Sequence, residues 1–575
     1  MNLKYLSVLA CPNCHSQLIE RNKAPTLSWL NCEYCQVNIP VIDEFVLFNE
    51  ADRVENINID KINKLGKIFK QDKLVYEDYI HLKYTKNILE VYAALQPFNE
   101  STRAIYPFLS KLKDSLQPND IIIETWSRTG WYALLLSALF PEQQVFALWE
   151  GNNSVLGYGG YSYWFNPDKK PKNLNIIFVS PHSKLPFKNN IAKLIVAYDI
   201  LHRRELEFYG DDLLRVSHPD GVILAPHVHL SNSEPKPYFE RGGTLRHGNT
   251  YSNYYDQLIT NTNRQCFVLS EQELFNHQDN TPLKSCPEGS SYNGFLAISR
   301  KSWLEESFTN EIEKNQTQHA RLIPNPLLEV NPISRSIRLK PQGLGGRIRY
   351  YLDRHPCYNE KIRSVLGNKL EIDWIKLLIV AAKDGTVLDH AVRLDWSIVY
   401  TQKILNLLQK NELLAVLPLS ELAINLQGFY SNQHSLFPNS FINFWQNEID
   451  TSPNMYLLAL DGQDLTVSEI HQFMLAISAY YLTKGVHGFN SIAISNELDR
   501  TKQIILMMAG WWLSCHIHIS KNDQQWIDSH TNLVVADEFW NIIDLYLDTK
   551  VDFLPPTHSL QLQRVQPYWY ELLYQ

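Results

Sequence analysis

Between residues 80 and 230, short apolar runs alternate with stretches that have the apolar spacing of a helix. Ile121-Ile-Ile-Glu124 and Gln144-Val-Phe-Ala-Leu-Trp149 are rich in β-branched and aromatic residues, and Trp131 to Phe140 between them has helical spacing. Alternation of this kind is typical of α/β folds, in which helices connect parallel strands. The pattern predicts a parallel sheet in this part of the chain.

Residues 340–435 have a mostly helical pattern instead. Asp373 to Ala382 and Trp396 to Leu414 carry apolar residues at helical spacing. Lys383-Asp-Gly-Thr-Val-Leu-Asp, followed by Ile404-Leu-Asn-Leu-Leu-Gln-Lys-Asn-Glu-Leu-Leu, resembles winged-helix modules. We interpret this module as one for protein docking or packing rather than for DNA recognition, because the chain is acidic overall.

Composition narrows the class of protein. Hydrophobic residues make up 45% and charged residues 20% of the 575 positions, as in a soluble globular protein. The net charge of −8 argues against a nucleic-acid partner. The densest apolar stretch, Trp374 to Ala382, is short and contains Lys376, so no membrane partner is expected. Four cysteines lie scattered, which favours a reducing cytoplasm; they are Cys266, Cys286, Cys357 and Cys515.

A chain of 575 residues is long enough for roughly four domains. Residues 321–370 carry ten Lys or Arg against three acids, together with several prolines, which marks a boundary. This stretch is either a solvated linker or a docking site for an acidic partner. We divide the chain into residues 1–50, 51–320, 321–440 and 441–575.

The first division contains two Cys-x-x-Cys pairs, which are Cys11 with Cys14 and Cys32 with Cys35. Two such pairs at this separation predict a zinc ribbon with four thiolates around one structural Zn²⁺. Four ordinary cysteines, or a lipoprotein signal ending at Cys11, are the alternatives. With Leu9-Ala10-Cys11-Pro12 and the segment Gln36 to Asp43, the ribbon resembles small zinc-ribbon proteins that bind and activate methyltransferases.

The predicted sheet has a layout suited to a nucleoside. Its first strand ends at Glu124, and after a turn and a helix its second strand ends at Glu150, where an acid receives ribose hydroxyls.

Three later segments, in order, resemble class I S-adenosylmethionine-dependent methyltransferases. They are Ser183-Lys-Leu-Pro-Phe187, the run from Ala192 through Asp199 to His202, and Arg215-Val-Ser-His-Pro-Asp-Gly221. The resemblance implies a Rossmann-like seven-stranded domain that uses S-adenosylmethionine. It also implies that Glu124 and Gly130 line the cofactor turn, that Glu150 faces the ribose, that Ser183 lies near the adenine and that Asp199 belongs to the loop after the fourth strand.

One part of this series departs from the family. Its first turn is rich in glycine, whereas this chain reads Glu124-Thr-Trp-Ser-Arg-Thr-Gly130. Glycine lets the backbone approach the cofactor, and bulky side chains oppose this approach. Two hypotheses stay open. The chain methylates a small molecule or a carrier-bound intermediate in a biosynthetic pathway, or it is a catalytically degenerate scaffold.

The segment from Pro226 to Asp256 is the most polar of the chain. His227 and His229 share one face of a strand, and both a ligand pair and packed polar residues fit their spacing. This region is predicted to border a substrate pocket. Its candidate residues are His227, His229, Arg241, Arg246, His247 and Tyr251.

The last division resembles the opening part of AMP-forming acyl-adenylating ligases. The resemblance rests on Phe441 to Glu448, Ala459 to Ile470, Tyr480 to Gly485 and Ser491 to Asn496. The phosphate loop of that family, a run such as Ser-Gly-Thr-Thr-Gly, is absent from the sequence. We therefore expect either a reused scaffold or half of a split ligase that a partner chain completes. The predicted fold class is a multidomain α/β protein.

Overall fold

The structure is a computed structural model, and it describes about seven tenths of the chain. The described residues are 6–22, 27–69, 95–127, 130–150, 170–232, 234–237, 243–277, 280–283, 285, 293–309, 320–340, 356–381, 383, 385–417, 440–520, 533–535 and 569–574. Among them, no helix combines the length and the apolar content that a membrane span requires.

The first 300 residues contain thirteen described strands and seven described α-helices. The strands are β1 (Ile19–Asn22), β2 (Leu27–Cys32), β3 (Val37–Ile42), β4 (Phe45–Leu47), β5 (Ile121–Glu124), β6 (Gln144–Glu150), β7 (Leu174–Val179), β8 (Ala192–Val196), β9 (Ser217–His229), β10 (Lys236–Pro237), β11 (Thr244–Leu245), β12 (Arg264–Ser270) and β13 (Asn293–Arg300). The helices are α1 (Ile59–Phe69), α2 (Glu100–Ala104), α3 (Tyr106–Lys113), α4 (Trp131–Leu139), α5 (Asp211–Val216), α6 (Gly248–Leu258) and α7 (Glu271–Phe275).

Eleven of these strands form one sheet in the order β1-β2-β3-β4-β7-β6-β5-β8-β9-β13-β12. The pairs from β4 to β9 are parallel, and β13 is antiparallel to both of its neighbours. Counted from β5, the seven strands of the central part lie in the order 3-2-1-4-5-7-6. This is a Rossmann-like, methyltransferase-like arrangement, and it confirms the predicted α/β class and parallel sheet. The strand order reverses at β5, between β6 and β8, which is where such folds bind their ligands.

Both faces of the central strands are buried. Ile122 and Val145 belong to one apolar cluster, while their neighbours Ile123 and Phe146 belong to another on the opposite face. Side chains alternate between the faces of a strand, so a strand covered on both faces reads as a continuous apolar run. This explains why these strands are so apolar along the chain.

The cysteine-containing segment is joined to this sheet. Val46 of β4 pairs in parallel with Ile177 of β7, and Leu9 forms a bridge with Phe187. Leu30 of β2 belongs to the same apolar cluster as the face of β5 and β6 that contains Ile123. The segment therefore shares its core with the central domain, and the domain limits at 50 and 320 stay predictions.

The region after residue 320 is helical with short strands. The helices are α8 (Pro356–Val365), α9 (Ile372–Ala381), α10 (Val387–Leu394) and α11 (Ile398–Lys410), and the strands are β14 (Arg321–Pro324), β15 (Leu328–Val330), β16 (Ile337–Leu339) and β17 (Leu414–Leu417). The two stretches with helical spacing correspond to α9 and α11. The pairs β14 with β17 and β15 with β16 lie outside that prediction, because three- and four-residue strands carry too little pattern.

The last described region has α/β character. Its elements are α12 (Phe441–Thr451), β18 (Tyr456–Leu460), β19 (Gln463–Thr466), α13 (Val467–Thr483), β20 (Ser491–Ser495), α14 (Arg500–Trp512), β21 (His516–Ser520) and β22 (Leu533–Val535). Strands β21, β20 and β22 form a parallel sheet. A capping box between Thr466 and Glu469 begins α13. Trp511 and Met507 of α14 are fully buried, so they pack in the core.

Candidate functional site

The four cysteines converge at one end of the first hairpins. Their sulfur atoms lie within 4.8 Å of one another, and Cys14 Sγ is 3.5 Å from Cys32 Sγ. Both knuckles make the same turn, because the amides of His15 and Gln36 bond at 2.8 Å to the carbonyls of the first cysteine of each pair. Sulfurs around one tetrahedral zinc ion lie about 3.8 Å apart. The donor set therefore fits Zn²⁺, as the spacing predicts.

Glu124 lies at the carboxyl end of β5 and is buried. The hydroxyl of Ser127 donates a hydrogen bond to its carboxylate. Burial raises the pKa of Glu124 to about 7, against the lowering effect of that hydrogen bond. Gly130 follows with a φ of 73°, a left-handed conformation that glycine adopts without strain, and α4 begins after it.

Glu150 lies at the end of β6, and its carboxylate is held by an arginine that follows β8. Arg204 Nη2 lies 2.8 Å from Glu150 Oε1, and the two side chains are only 14% and 20% exposed. Because β5 lies between β6 and β8 in the sheet, this ion pair crosses over the carboxyl end of β5. It therefore spans the place where the strand order reverses.

Arg203, the residue before Arg204, contacts both Asp199 and Trp126. Arg203 Nη2 lies 2.9 Å from each carboxylate oxygen of Asp199, and its Nε donates to the Asp199 carbonyl at 2.8 Å. The same guanidinium lies over the ring of Trp126, 5.3 Å from its centroid, and Trp126 is buried. Arg203 thus links the segment after β8 to the turn after β5.

Ser183 is half-buried in the turn before β8. Its hydroxyl donates to the carbonyl of Ser180 at 2.9 Å, which stabilises the turn. An adenine contact by Ser183 stays a prediction.

Three histidines gather at the carboxyl ends of β8 and β9. The rings of His202 and His229 stack in parallel with centroids 4.2 Å apart, and His229 Nε2 lies 3.0 Å from His227 Nε2. His202 Nε2 lies 3.5 Å from the carboxylate of Asp199. The structure thus joins the two predicted histidines to an acid and to a third histidine.

His227 is connected further into the core. Ser101 Oγ lies 2.7 Å from His227 Nδ1 and donates to Glu271 Oε2 at 2.6 Å. Burial opposes a charge on His227, but the hydrogen bond and the charge of Glu271 outweigh it and raise the pKa of His227. Burial lowers the pKa of His229 to about 2, and the charge of His227 adds to this effect.

The other residues predicted to border a substrate pocket have different surroundings. Arg246 is buried 3.7 Å from Glu205, and Leu230 after β9 forms a bridge with Arg246. Tyr251 is fully buried, which raises its pKa to about 12, and Arg246 acts in the opposite direction. His247 caps α6 by accepting from the amide of Asn249, which is a structural role. Arg241 lies outside the described residues.

The sequence pattern did not indicate a role for Arg203, Arg204 or His202. It also did not indicate the hydrogen-bonded pair formed by Ser101 and Glu271. The signal for His202 is its position three residues after Asp199, directly behind the apolar run of β8. Ser101 and Glu271 carry no such signal, because they lie 170 positions apart along the chain.

Comparison with known proteins finds no matching family model and no matching curated protein. Among solved structures, the chain is similar to the O-methyltransferase of a trans-AT polyketide synthase multienzyme from Brevibacillus brevis (9% identity, 38% of this chain and 80% of that chain, TM-score 0.27). It is similar to geranyl diphosphate C-methyltransferase from Streptomyces coelicolor A3(2) (11%, 34% and 75%, TM-score 0.24).

A third similar structure is NpsA-ThdA, an artificially fused adenylation–PCP di-domain NRPS from Klebsiella oxytoca (11% identity, 21% of this chain and 26% of that chain, TM-score 0.18). The chain spans about a quarter to a third of the length of the adenylation proteins of Klebsiella oxytoca that it matches. The fold assignment rests on the strand order described above.

Proposed function

We propose that this chain is an accessory or scaffold protein of a small-molecule biosynthetic system, with a methyltransferase-like domain that does not bind S-adenosylmethionine in the usual way. The observation that carries the proposal is the Arg204–Glu150 ion pair across the end of β5. In the fold, the acid at the end of the second strand receives the ribose hydroxyls. Here a guanidinium already holds that acid.

The neighbouring side chains support the same conclusion. Trp126 stands where the family has glycine, and the Arg203–Asp199 pair packs against its ring. A nucleoside that bonded to Glu150 and Asp199 would compete with two largely buried ion pairs, and breaking such pairs is unfavourable. The crevice is therefore better suited to structural packing than to reversible cofactor binding.

The test is a calorimetric titration of the zinc-loaded chain with S-adenosylmethionine and S-adenosylhomocysteine. We expect no binding to the natural chain. Micromolar binding that Glu150→Ala abolishes, and that exposed Glu497→Ala leaves intact as a matched control, would overturn the proposal.

A second candidate is methyl transfer to a small molecule or a carrier-bound intermediate. It is favoured by the His227–Glu271 pair, because a histidine oriented by a carboxylate can take a proton from an acceptor group at the carboxyl edge of the sheet. The same titration separates the candidates, since this one requires the cofactor to bind.

We further propose that the ligase-like region docks with a partner chain that supplies the missing phosphate loop. The proposal is supported by the sequence, in which residues 441–496 resemble the opening elements of the family and no such loop occurs among the 575 residues. Pyrophosphate exchange with a panel of carboxylic acids tests this. The purified chain is expected to show none, and exchange by this chain alone would refute the proposal.

A further inference from the structure

A short helix lies between the crevice and the helical module, which comprises α8 to α11 with the strands β14 to β17. Helix α2 contacts the crevice through Ser101 and the module through Glu100 and Arg103. Four of its five residues are buried. We propose that α2 couples the module to the crevice, so that the module sets the orientation of His227.

Ser101 joins α2 to the crevice through a chain of hydrogen bonds. Its hydroxyl oxygen lies 2.7 Å from His227 Nδ1, and it donates to Glu271 Oε2 at 2.6 Å. A serine hydroxyl has one proton, so it accepts from His227 Nδ1–H while it donates to the carboxylate. The other carboxylate oxygen of Glu271 accepts from the amide of His227. Ser101 and Glu271 therefore hold both the ring and the backbone of His227.

Glu100 makes the first contact with the module, at the amino end of α8. Its carboxylate accepts from the amide of Tyr358 at 3.3 Å, and Tyr358 is the third residue of α8. The first four amides of a helix have no partner within the helix, and the helix dipole favours a negative charge beside them. Both side chains are buried. Glu100 therefore anchors α2 to the beginning of α8.

Arg103 makes the second contact with the module. Its Nη1 lies 2.7 Å from Glu412 Oε1, and the side chain of Glu412 is only 2% exposed. Lys361 Nζ lies 3.4 Å from the same oxygen. Removing the cation from a buried carboxylate is strongly unfavourable, because the charge then stays in a region of low dielectric without compensation. This ion pair therefore holds α2 firmly against the segment between α11 and β17.

The same two cations contact α7, the second helix that holds His227. Arg103 Cζ lies 4.7 Å and Lys361 Nζ lies 4.0 Å from the ring centroid of Phe275, the last residue of α7. The first residue of α7 is Glu271, whose carboxylate accepts from the amide of His227. The ion pair with the module thus bears on both helices that orient His227.

The shortness of α2 makes its contacts depend on one another. Successive residues of an α-helix are about 100° apart around the axis, so Glu100 and Arg103 share a face and Ser101 lies beside it. Asn99 caps the helix by accepting from the amide of Ser101 at 2.8 Å, which stabilises the first turn. A rotation of α2 that breaks the contacts with the module therefore moves Ser101 away from His227.

The coupling is independent of the two candidate functions, because it concerns the position of His227 and not a reaction. It provides a route by which a protein bound to the module changes the crevice.

The experiment measures hydrogen exchange of single amides in the full, zinc-loaded chain. Arg103→Met combined with Glu412→Gln removes both charges of the ion pair, so that neither is left buried alone. We expect the amide of His227 to exchange at least about fivefold faster, while the amides of β5 exchange as in the natural chain. Lys111→Met combined with Glu306→Gln is the matched control. It removes an ion pair of the neighbouring helix α3 and should leave the exchange of His227 unchanged.

The reverse direction gives a second measurement, because coupling between two sites is reciprocal. Ser101→Ala removes the hydroxyl that faces the crevice, and it should speed exchange of the Tyr358 amide by a similar factor relative to β5. Unchanged exchange of His227 in the folded double variant would overturn the proposal, as would an equal acceleration in β5. If the double variant does not fold, Ser101→Ala decides. Faster exchange of Tyr358 then supports the coupling, and unchanged exchange of Tyr358 refutes it.

Discussion

Replacing Glu124 with glutamine should make the central sheet more stable at high pH. The Glu124 side chain is fully buried, and burial raises its pKa from 4.5 to about 7. The folded protein therefore keeps a proton that the unfolded chain releases above its own pKa. Stability falls as the pH rises between these two values, at about 1.4 kcal/mol per pH unit, for a total of about 3 kcal/mol.

Glutamine removes this pH dependence while it keeps the size of the side chain and an oxygen that accepts from Ser127. We expect Glu124→Gln and the natural chain to differ little near pH 5, and the variant to be more stable by up to about 3 kcal/mol near pH 8. The natural chain loses the full amount of stability only above a pH of about 7.

The assay is urea unfolding monitored by hydrogen exchange of the peptide that contains β5. The measured free energy of unfolding is then that of the central sheet. Glu497→Gln is the control, because Glu497 is exposed. A difference between variant and natural chain that stays constant from pH 5 to pH 8 would refute the reasoning, since it would mean that burial does not penalise the charge on Glu124.

Three further changes test other parts of the structure. Combining Arg204→Ala with Glu150→Ala in a double-mutant cycle should give a coupling energy of about 1–2 kcal/mol in urea unfolding, because both side chains are largely buried; additive effects would contradict the ion pair. Cys32→Ser should remove one equivalent of zinc, measured by elemental analysis. It should also speed amide exchange in β7, because β4 of the hairpins pairs with β7, and unchanged exchange in β7 would disprove this coupling. Gly510→Ala should lower the thermal unfolding temperature, since an added Cβ lies 2.4 Å from Ile517. Gly66→Ala, whose added Cβ has its nearest contact at 3.4 Å, should not lower it. Equal effects of the two variants would refute the close packing of α14 against Ile517.

The sequence by itself determines the features that depend on neighbouring positions. Turns of four residues set the two cysteine knuckles, and the apolar runs of β5, β6 and β8 follow from burial on both faces of a sheet. The sequence also identifies Glu124 and Glu150 as strand ends, because an acid directly after an apolar run marks the end of the run. These patterns are local, so their physical cause can be read from the chain.

Tertiary structure decides what meets at those strand ends. Arg204 reaches Glu150 from 54 positions away, and His229 reaches His202 from 27 positions away, because parallel strands are joined by long connections and their carboxyl ends still share one edge. The sequence shows His227 and His229 as a pair, but the acid and third histidine come from another strand. Whether the crevice holds a cofactor or an ion pair therefore depends on the order of strands in the sheet, which spacing along the chain does not contain.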